Sequence, residues 1–171
     1  MAFDPQTLLD LPPIETRQKI SPYKVMLYAV GVGATELPFV YEENLAVLPT
    51  MAVTMTYPGF IWRDPALGVT WQKILHVETG LILHRPLPTE GELVGLTHFE
   101  AVYDKGADKG AMVVQRRDIS SDDGTPVATV RNTTYLRGDG GHGGSDGTQP
   151  APHPVPERAP DATIALATRE D

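Results

Sequence analysis

A length of 171 residues, of which 41% are hydrophobic and 21% charged, predicts one globular domain of ordinary size. The formal net charge of −8 argues against nucleic acid and anionic membrane surfaces as partners, because both attract basic patches. The absence of cysteine excludes disulfides, a thiolate nucleophile and cysteine metal sites. No apolar run is long and unbroken enough to cross a membrane, so we expect a cytoplasmic protein.

The first part of the chain predicts an arm and one short helix. Residues 1–20 are punctuated by prolines and predict a packed arm. Ser21-Pro22 is typical of a helix start, which predicts a helix from Tyr23 to Val30 that ends at Gly31.

The stretch from Leu48 to Tyr57 predicts a second helix, which the rest of the fold must enclose. It lies in an uncharged run and is apolar on more than one side, and Pro49 suits the first helical turn. Its β-branched residues, Val53, Thr54 and Thr56, favour strand and therefore predict that this helix is short.

Four strands are predicted after this helix, at residues 74–85, 92–104, 111–119 and 126–136. The second half of the first strand is uniformly apolar, which predicts burial on both faces. In the second strand, alternation places Leu93 to Ala101 (odd numbers) on one face and Val94 to Val102 (even numbers) on the other. A short helix followed by strands predicts an α+β fold, with a curved antiparallel sheet wrapped around the central helix.

The composition changes sharply after residue 137. Residues 138–161 contain six glycines and five prolines, which is typical of a linker that is first flexible and then extended. Residues 162–171 end in Thr168-Arg169-Glu170-Asp171, a capping-box pattern that predicts a helix start. We therefore expect a folded domain in residues 1–137, a linker in 138–161, and the truncated start of a second repeat in 162–171.

Two groups of residues are candidates for a site. His76 and Glu78 lie two apart on a predicted strand and are expected to share a face, where a carboxylate could orient a histidine base. A hydrogen-bonded structural pair near a sheet end is the simpler explanation, because buried polar groups need partners in any case. The glycines at 140–144 fit either a flexible linker or close approach of a ligand to the backbone. No histidine spacing predicts a metal site.

Several short segments occur in the same order as in a known family. They are residues 28–34, 39–42, 48–50, 74–78, 86–88 and 140–144. In this order they resemble the N-terminal half of MaoC-like (R)-specific enoyl-CoA hydratases, the hydratase 2 family, over roughly residues 15–145. The chain departs from the family at His142, where an aromatic residue is usual, and at Met51, where phenylalanine is common.

The resemblance implies a double hot dog fold, in which each of two repeats is a curved antiparallel sheet around a helix. This chain is similar to the first repeat, with Leu48 to Tyr57 as its reduced central helix. In the family, an Asp-x-Asn-x-x-His motif in the second repeat adds water across the 2,3 double bond of an enoyl thioester. That motif does not occur in this chain, so we expect no catalytic residue here. On this reading the chain is either a fragment or one subunit of a split enzyme.

The resemblance also implies a binding role for six residues. Thr50 and Met51 are expected to shape an acyl tunnel, and His76, Glu78, Gly141 and Gly143 to contact the substrate. We expect no cofactor beyond the coenzyme A thioester substrate, and acyl-CoA, a second hot dog domain and a dimer mate as partners. Two alternatives stay open: a non-catalytic subunit that binds acyl thioesters or scaffolds a partner, and a single hot dog thioesterase. The thioesterase would use Glu42 or Glu78 to activate water.

Overall fold

One antiparallel sheet organises the chain. The structure, a computed structural model, describes residues 2–143, 151 and 154–167. The helices are α1 (Pro5–Leu9), α2 (Pro22–Gly31) and α3 (Leu37–Val40), and the strands are β1 (Ile14–Ile20), β2 (Ile74–Leu83), β3 (Gly91–Asp104), β4 (Ala111–Ser121) and β5 (Pro126–Leu136). The strand order in the sheet is β1-β3-β4-β5-β2, which leaves β1 and β2 at its edges.

The N-terminal arm holds more structure than its prolines predict. The Asp4 carboxylate accepts a hydrogen bond from the Gln6 amide at 3.0 Å and begins α1, whose Leu8 is fully buried. The next segment is β1, which pairs antiparallel with β3 from Ile14 opposite Thr97 to Ile20 opposite Gly91. The arm is therefore partly a sheet strand, a pairing that depends on residues far along the chain.

The predicted central helix is reduced to a 3₁₀ turn at Pro49–Val53. Its backbone bonds run from Met51 to Leu48 and from Thr54 to Met51, each at 2.9 Å, which is three-residue spacing. The predicted burial is confirmed, because Met51, Ala52 and Met55 are each less than 5% exposed. The β-branched residues that favour strand lie in this segment, which explains why no full α-helix forms.

The strand boundaries follow the turn signals, but the burial of β2 was predicted wrongly. The bounds of β5 match the prediction, and β4 runs two residues further, to Ser121. The last residues of β2 were expected to be buried on both faces, yet Ile82 is 60% and Leu83 38% exposed. The reason is that β2 is an edge strand whose end no described residue covers.

A β-bulge in β3 reverses the predicted faces at the end of that strand. The pairing with β4 shifts between Phe99 and Ala101, so Val102 pairs with Val113. Val102 is consequently fully buried on the same side as Phe99, whereas the alternation rule had placed them on opposite faces.

The core consists of two apolar clusters on the inner face of the sheet. The first packs around the 3₁₀ turn and includes Met51, Met55 and Ile119. The second packs under α1 and includes Trp62, whose ring meets that of Phe99 edge to face at 5.7 Å. A search of the described helices found none long and apolar enough to cross a membrane.

Candidate functional site

A polar band separates the two clusters on the inner face of the sheet. Thr97 lies opposite Arg117 in the β3–β4 pairing, and Gln115 lies opposite Asn132 in the β4–β5 pairing. The loop of residues 57–62 passes over this band and encloses a cavity of about 20 Å³. The cavity therefore has polar residues on its sheet side and Ile61 and Trp62 among its other walls.

Arg117 is the most unusual member of the polar band. It is only 3% exposed, and its Nη2 donates to the Val53 carbonyl at 2.6 Å. The Tyr57 ring centroid lies 5.8 Å from the guanidinium carbon. Burial lowers the pKa of Arg117, and no carboxylate of the described residues pairs with it. Arg117 is thus a buried cation with no opposite charge beside it among the described residues.

His76 lies on the inner face, at the edge of the sheet. Its Nε2 is 3.0 Å from the Thr79 hydroxyl, which donates to Asn132 Oδ1 at 2.8 Å. Because a hydroxyl has one proton, Thr79 accepts from the Nε2–H of His76, and the ring is oriented by this chain of bonds.

Glu78 does not share a face with His76, contrary to the prediction. A β-bulge between the two residues places His76 opposite Thr134 and Glu78 opposite Thr133. Because neighbouring residues of β5 point to opposite faces, so do His76 and Glu78. Glu78 is exposed on the outer face, so it cannot orient the imidazole as a paired carboxylate would.

Thr50 and Met51 lie at the start of the 3₁₀ turn, and their side chains differ in exposure. Thr50 is exposed, and its Oγ1 accepts from the Tyr28 hydroxyl at 3.1 Å. Met51 is 4% exposed and packs in the first cluster. Their predicted contact with an acyl chain stays a prediction.

Gly141 and Gly143 bind a carboxylate of this chain. Their amides donate to Asp104 Oδ1 and Oδ2, each at 2.8 Å, and the Gly106 amide donates to Oδ1 at 2.9 Å. The bonds from Gly141 and then Gly106, with a smaller contribution from Gly143 and His142, lower the pKa of Asp104 to about 2. Both glycines have positive φ, of 85° and 90°, which other residues adopt only with strain.

The start of the predicted linker is packed against the domain. Asp139 is 8% exposed, and its carboxylate accepts from the Thr70 amide at 3.0 Å and from the Thr70 hydroxyl at 2.7 Å. Residues 138–143 therefore continue the folded domain instead of forming a flexible segment. The described residues from 154 to 167 are exposed and have no helix or strand, and the helix start predicted at 168–171 lies outside the described residues.

Sequence reasoning missed Asp104 and Asp139. It grouped Arg117 with Lys105, Lys109 and Arg116 as a basic cluster, which could meet ligand phosphates but is more simply explained as solvated charge. Asp104 does carry a signal, since an aspartate two residues before a glycine at a strand end favours a turn closed by its own carboxylate. No sequence signal predicts the burial of Arg117, because a charged residue in β4 is expected at the surface. In the part of the chain that the structure describes, no three His, Cys, Asp or Glu side chains group as a metal site.

Comparison with known proteins places this geometry in a family. Residues 19–138, well over half of the chain, match the family model of the MFE-2 hydratase 2 N-terminal domain. The chain is 40% identical over 153 residues to 3-hydroxyacyl-thioester dehydratase Y of Mycobacterium tuberculosis, covering 85% of this chain and 52% of that protein. It is 35% identical over 157 residues to mouse peroxisomal multifunctional enzyme type 2, covering 84% of this chain and 21% of that protein.

A solved structure agrees with the sequence matches. The MaoC-like dehydratase of Phytophthora capsici superposes with a TM-score of 0.76 at 29% identity, over 91% of this chain and 57% of that one. The predicted hot dog architecture is confirmed, with a 3₁₀ turn in place of the central helix. The chain spans about half the length, or less, of these two curated relatives. The chain belongs to the hydratase 2 family of MaoC-like dehydratases and corresponds to its N-terminal domain.

Proposed function

We propose that this chain is the acyl-binding half of an (R)-specific 2-enoyl-CoA hydratase. The reaction adds water to a trans-2-enoyl-CoA to give a (3R)-3-hydroxyacyl-CoA, or removes it in the reverse direction. One observation carries the proposal: the chain matches the N-terminal domain of hydratase 2 but contains no Asp-x-Asn-x-x-His motif. The catalytic Asp and His then belong to a second hot dog domain, in the same or a partner polypeptide.

The inner face of the sheet fits a binding role better than a catalytic one. Its apolar residues pack against one another in two clusters, and it holds one histidine that is oriented by hydrogen bonds. Hydration needs a group that delivers a proton and a group that activates water, held within hydrogen-bond reach of the substrate. The bulge that separates His76 from Glu78 removes the nearest such pair from this chain.

Exposed apolar residues support a partner domain. Leu75, Val77 and Ile82 of the edge strand β2 are 48%, 49% and 60% exposed. On α2, Tyr23 and Leu27 are 69% and 56% exposed. Apolar surface of this extent is typical of protein that is covered in its working state.

The thioesterase alternative finds less support. It needs a carboxylate that activates water beside the bound thioester. Glu42 and Glu78 are both exposed, and Glu78 lies on the outer face, away from the apolar clusters. Replacing each by Gln and measuring thioester cleavage tests it directly, since cleavage that is absent or unchanged rules out that role.

The proposal is tested by activity and its restoration. The 171-residue chain alone is expected to show no hydration of crotonyl-CoA or decenoyl-CoA. Adding a second hot dog domain that carries the Asp-x-Asn-x-x-His motif is expected to give activity, and replacing its Asp by Asn to abolish it. Robust hydration of either thioester by the chain alone would contradict the proposal. Binding of decanoyl-CoA to the chain, compared with free coenzyme A, separates an acyl-binding half from a scaffold.

A further inference from the structure

We propose that His76 Nδ1 accepts a hydrogen bond from an N–H or O–H group of the bound thioester, and that Thr79 and Asn132 are positioning residues for this contact. The donor is either an amide of the pantetheine arm of coenzyme A or the 3-hydroxyl of the hydroxyacyl chain. This inference rests on the proposed function for the identity of the ligand, and it gives two further residues of the chain a role in binding it.

Two hydrogen bonds decide which nitrogen of the His76 ring carries the proton. The Thr79 hydroxyl lies 3.0 Å from Nε2 and donates its only proton to Asn132 Oδ1 at 2.8 Å. Nε2 is therefore the donor, and in a neutral imidazole the other nitrogen, Nδ1, is then an acceptor. No described residue donates to Nδ1, and His76 is exposed. The inner face thus carries an oriented acceptor that a ligand can reach.

The β-bulge in β2 is what brings His76 beside Thr79. Residues three apart in a regular strand point to opposite faces. Here the bulge places His76 opposite Thr134, while Thr79 lies opposite Asn132. These two partners are two apart on β5, so His76 and Thr79 share the inner face. Bulges often re-aim a side chain beside a functional site, and this bulge creates the contact that orients the imidazole.

The position of His76 is where the two halves of the proposed enzyme would meet. It lies on the edge strand β2, between Leu75 and Val77, which are 48% and 49% exposed. If a second domain with the catalytic residues covers this edge, the thioester has to contact both halves, and its reacting part lies at their boundary. The donors of the thioester closest to its reacting carbons are the 3-hydroxyl and the amide N–H of the pantetheine arm.

Two ligands test the contact and identify the donor. In calorimetric titrations, the 171-residue chain is expected to bind (3R)-3-hydroxydecanoyl-CoA, which has both donors, and decanoyl-CoA, which has only the amides. His76→Phe keeps a ring and removes the acceptor, so it is expected to weaken binding about fivefold, as the loss of one hydrogen bond implies. A loss for both thioesters assigns the donor to the pantetheine arm. A loss for the hydroxydecanoyl thioester alone assigns it to the 3-hydroxyl.

The matched control is His84→Phe. His84 Nε2 lies 3.0 Å from the Thr129 hydroxyl, which donates to Asp118 Oδ1 at 2.9 Å, so the arrangement of the three groups is the same. Thr129 and Asn132 are three apart in a regular part of β5, which places the control on the outer face of the sheet. His84→Phe is therefore expected to leave the affinity for both thioesters unchanged.

Variants of Asn132 test the positioning role. In Asn132→Leu the Thr79 hydroxyl loses its acceptor and can donate to Nε2, which moves the ring proton to Nδ1 and removes the acceptor from the ligand. The affinity is expected to fall about fivefold, and combining this substitution with His76→Phe should cost no more than either change alone. Asn132→Asp keeps an acceptor at this position and is expected to restore binding.

Nitrogen NMR of the histidine rings reads out the same role without a thioester. At about pH 8, where histidine rings are mostly neutral, the wild type and Asn132→Asp should carry the proton of His76 on Nε2, and Asn132→Leu on Nδ1. The His76 signals are those missing from the spectrum of His76→Phe. Thr79→Val removes the hydroxyl while it preserves shape, and is expected to weaken binding about threefold even if Asn132→Leu does not fold.

The outcomes separate this contact from the proposed function. If the wild type binds both thioesters and His76→Phe binds them as tightly, or if His76→Phe and His84→Phe weaken binding equally, the role of His76 is overturned and the proposed function stands. If the wild type binds neither thioester, both fail together. A loss in Asn132→Leu that adds to that of His76→Phe, or that Asn132→Asp does not restore, overturns the positioning role.

Discussion

Asp104 ties together two loops that are far apart in the sequence. Its carboxylate accepts from the amides of Gly106, in the loop after β3, and of Gly141 and Gly143, after β5. The side chain is 9% exposed, and the three glycines that it binds lie at the surface. Asp104 therefore helps to hold in place a glycine segment whose composition suggests flexibility.

Replacing Asp104 by Asn should destabilise the chain in a pH-dependent way. The substitution keeps one acceptor and loses the charge, so we expect the free energy of unfolding at pH 7 to fall by about 1–3 kcal/mol. The folded-state pKa of Asp104 is lowered from 3.8 to about 2, so its contribution is present above pH 4 and is lost as pH falls towards 2. Urea unfolding at pH 7, 4 and 2.5 measures this.

The control for this prediction is Asp108→Asn, an exposed aspartate in the loop that follows β3. It is expected to change stability by less than about 0.5 kcal/mol at each pH. A loss for Asp104→Asn that stayed constant from pH 7 to 2.5 would contradict the electrostatic explanation.

At the scale of elements, Gly95 allows the 3₁₀ segment to lie against β3. A Cβ at this position would lie 2.2 Å from Thr56 Oγ1 and 2.6 Å from Thr56 Cβ. Because Gly95 has no side chain, Thr56 can pack against the inner face of β3, where it is 2% exposed.

Gly95→Ala is expected to lower the free energy of unfolding by about 1–3 kcal/mol, because the added methyl overpacks the contact. Combining it with Thr56→Gly, which removes the clashing side chain, should recover more than about 1 kcal/mol of that loss in a double-mutant cycle. Gly80→Ala is the matched control, since its Cβ would meet nothing closer than 3.9 Å and its stability should change little. Additive effects of Gly95→Ala and Thr56→Gly would show that the two positions do not meet as described.

The sequence predicts elements where local chemistry decides them and fails where distant pairing does. The loop at Ser121–Gly124 and the proline at 126 mark the β4–β5 hairpin correctly. The bulges at Phe99/Ala101 and His76/Glu78 leave no local signal, because alternation continues through them, and they decide which faces Val102 and Glu78 occupy.

The candidate site is predictable to the same extent. The choice of His76 and of the glycine segment as candidates follows from the family resemblance, whereas the face that His76 occupies was not predicted. The partner of that segment does not, because Asp104 lies 37 residues from Gly141 and pairing at such a distance depends on the fold. Arg117 is hidden for a related reason, since its face is set by the β4 register and not by its own chemistry.

At the scale of the whole molecule, the two edges of the sheet differ in chemistry. The β1 edge exposes Glu15 and Arg17, which pair with each other at 2.8 Å, and charges of this kind discourage pairing with another sheet. The β2 edge exposes Leu75, Val77 and Ile82 instead. This asymmetry makes β2 the edge that is open to association with another sheet, whether of a second domain or of a second copy.

Ile82→Lys should weaken the association of two chains without changing the stability of the single chain. We expect the wild-type chain to sediment as a dimer and the variant as a monomer. Burial of an isoleucine side chain in the dimer interface contributes about 1.5–3 kcal/mol to the free energy of association, so its loss weakens association about 10- to 100-fold. The Tm of the monomer should change little, since Ile82 is 60% exposed within one chain. Val155→Lys, at an apolar residue that is 87% exposed outside the sheet, is the control and should leave the sedimentation coefficient unchanged. A wild type that is monomeric at every concentration, or an Ile82→Lys variant that stays dimeric, would exclude β2 as the edge through which two copies associate.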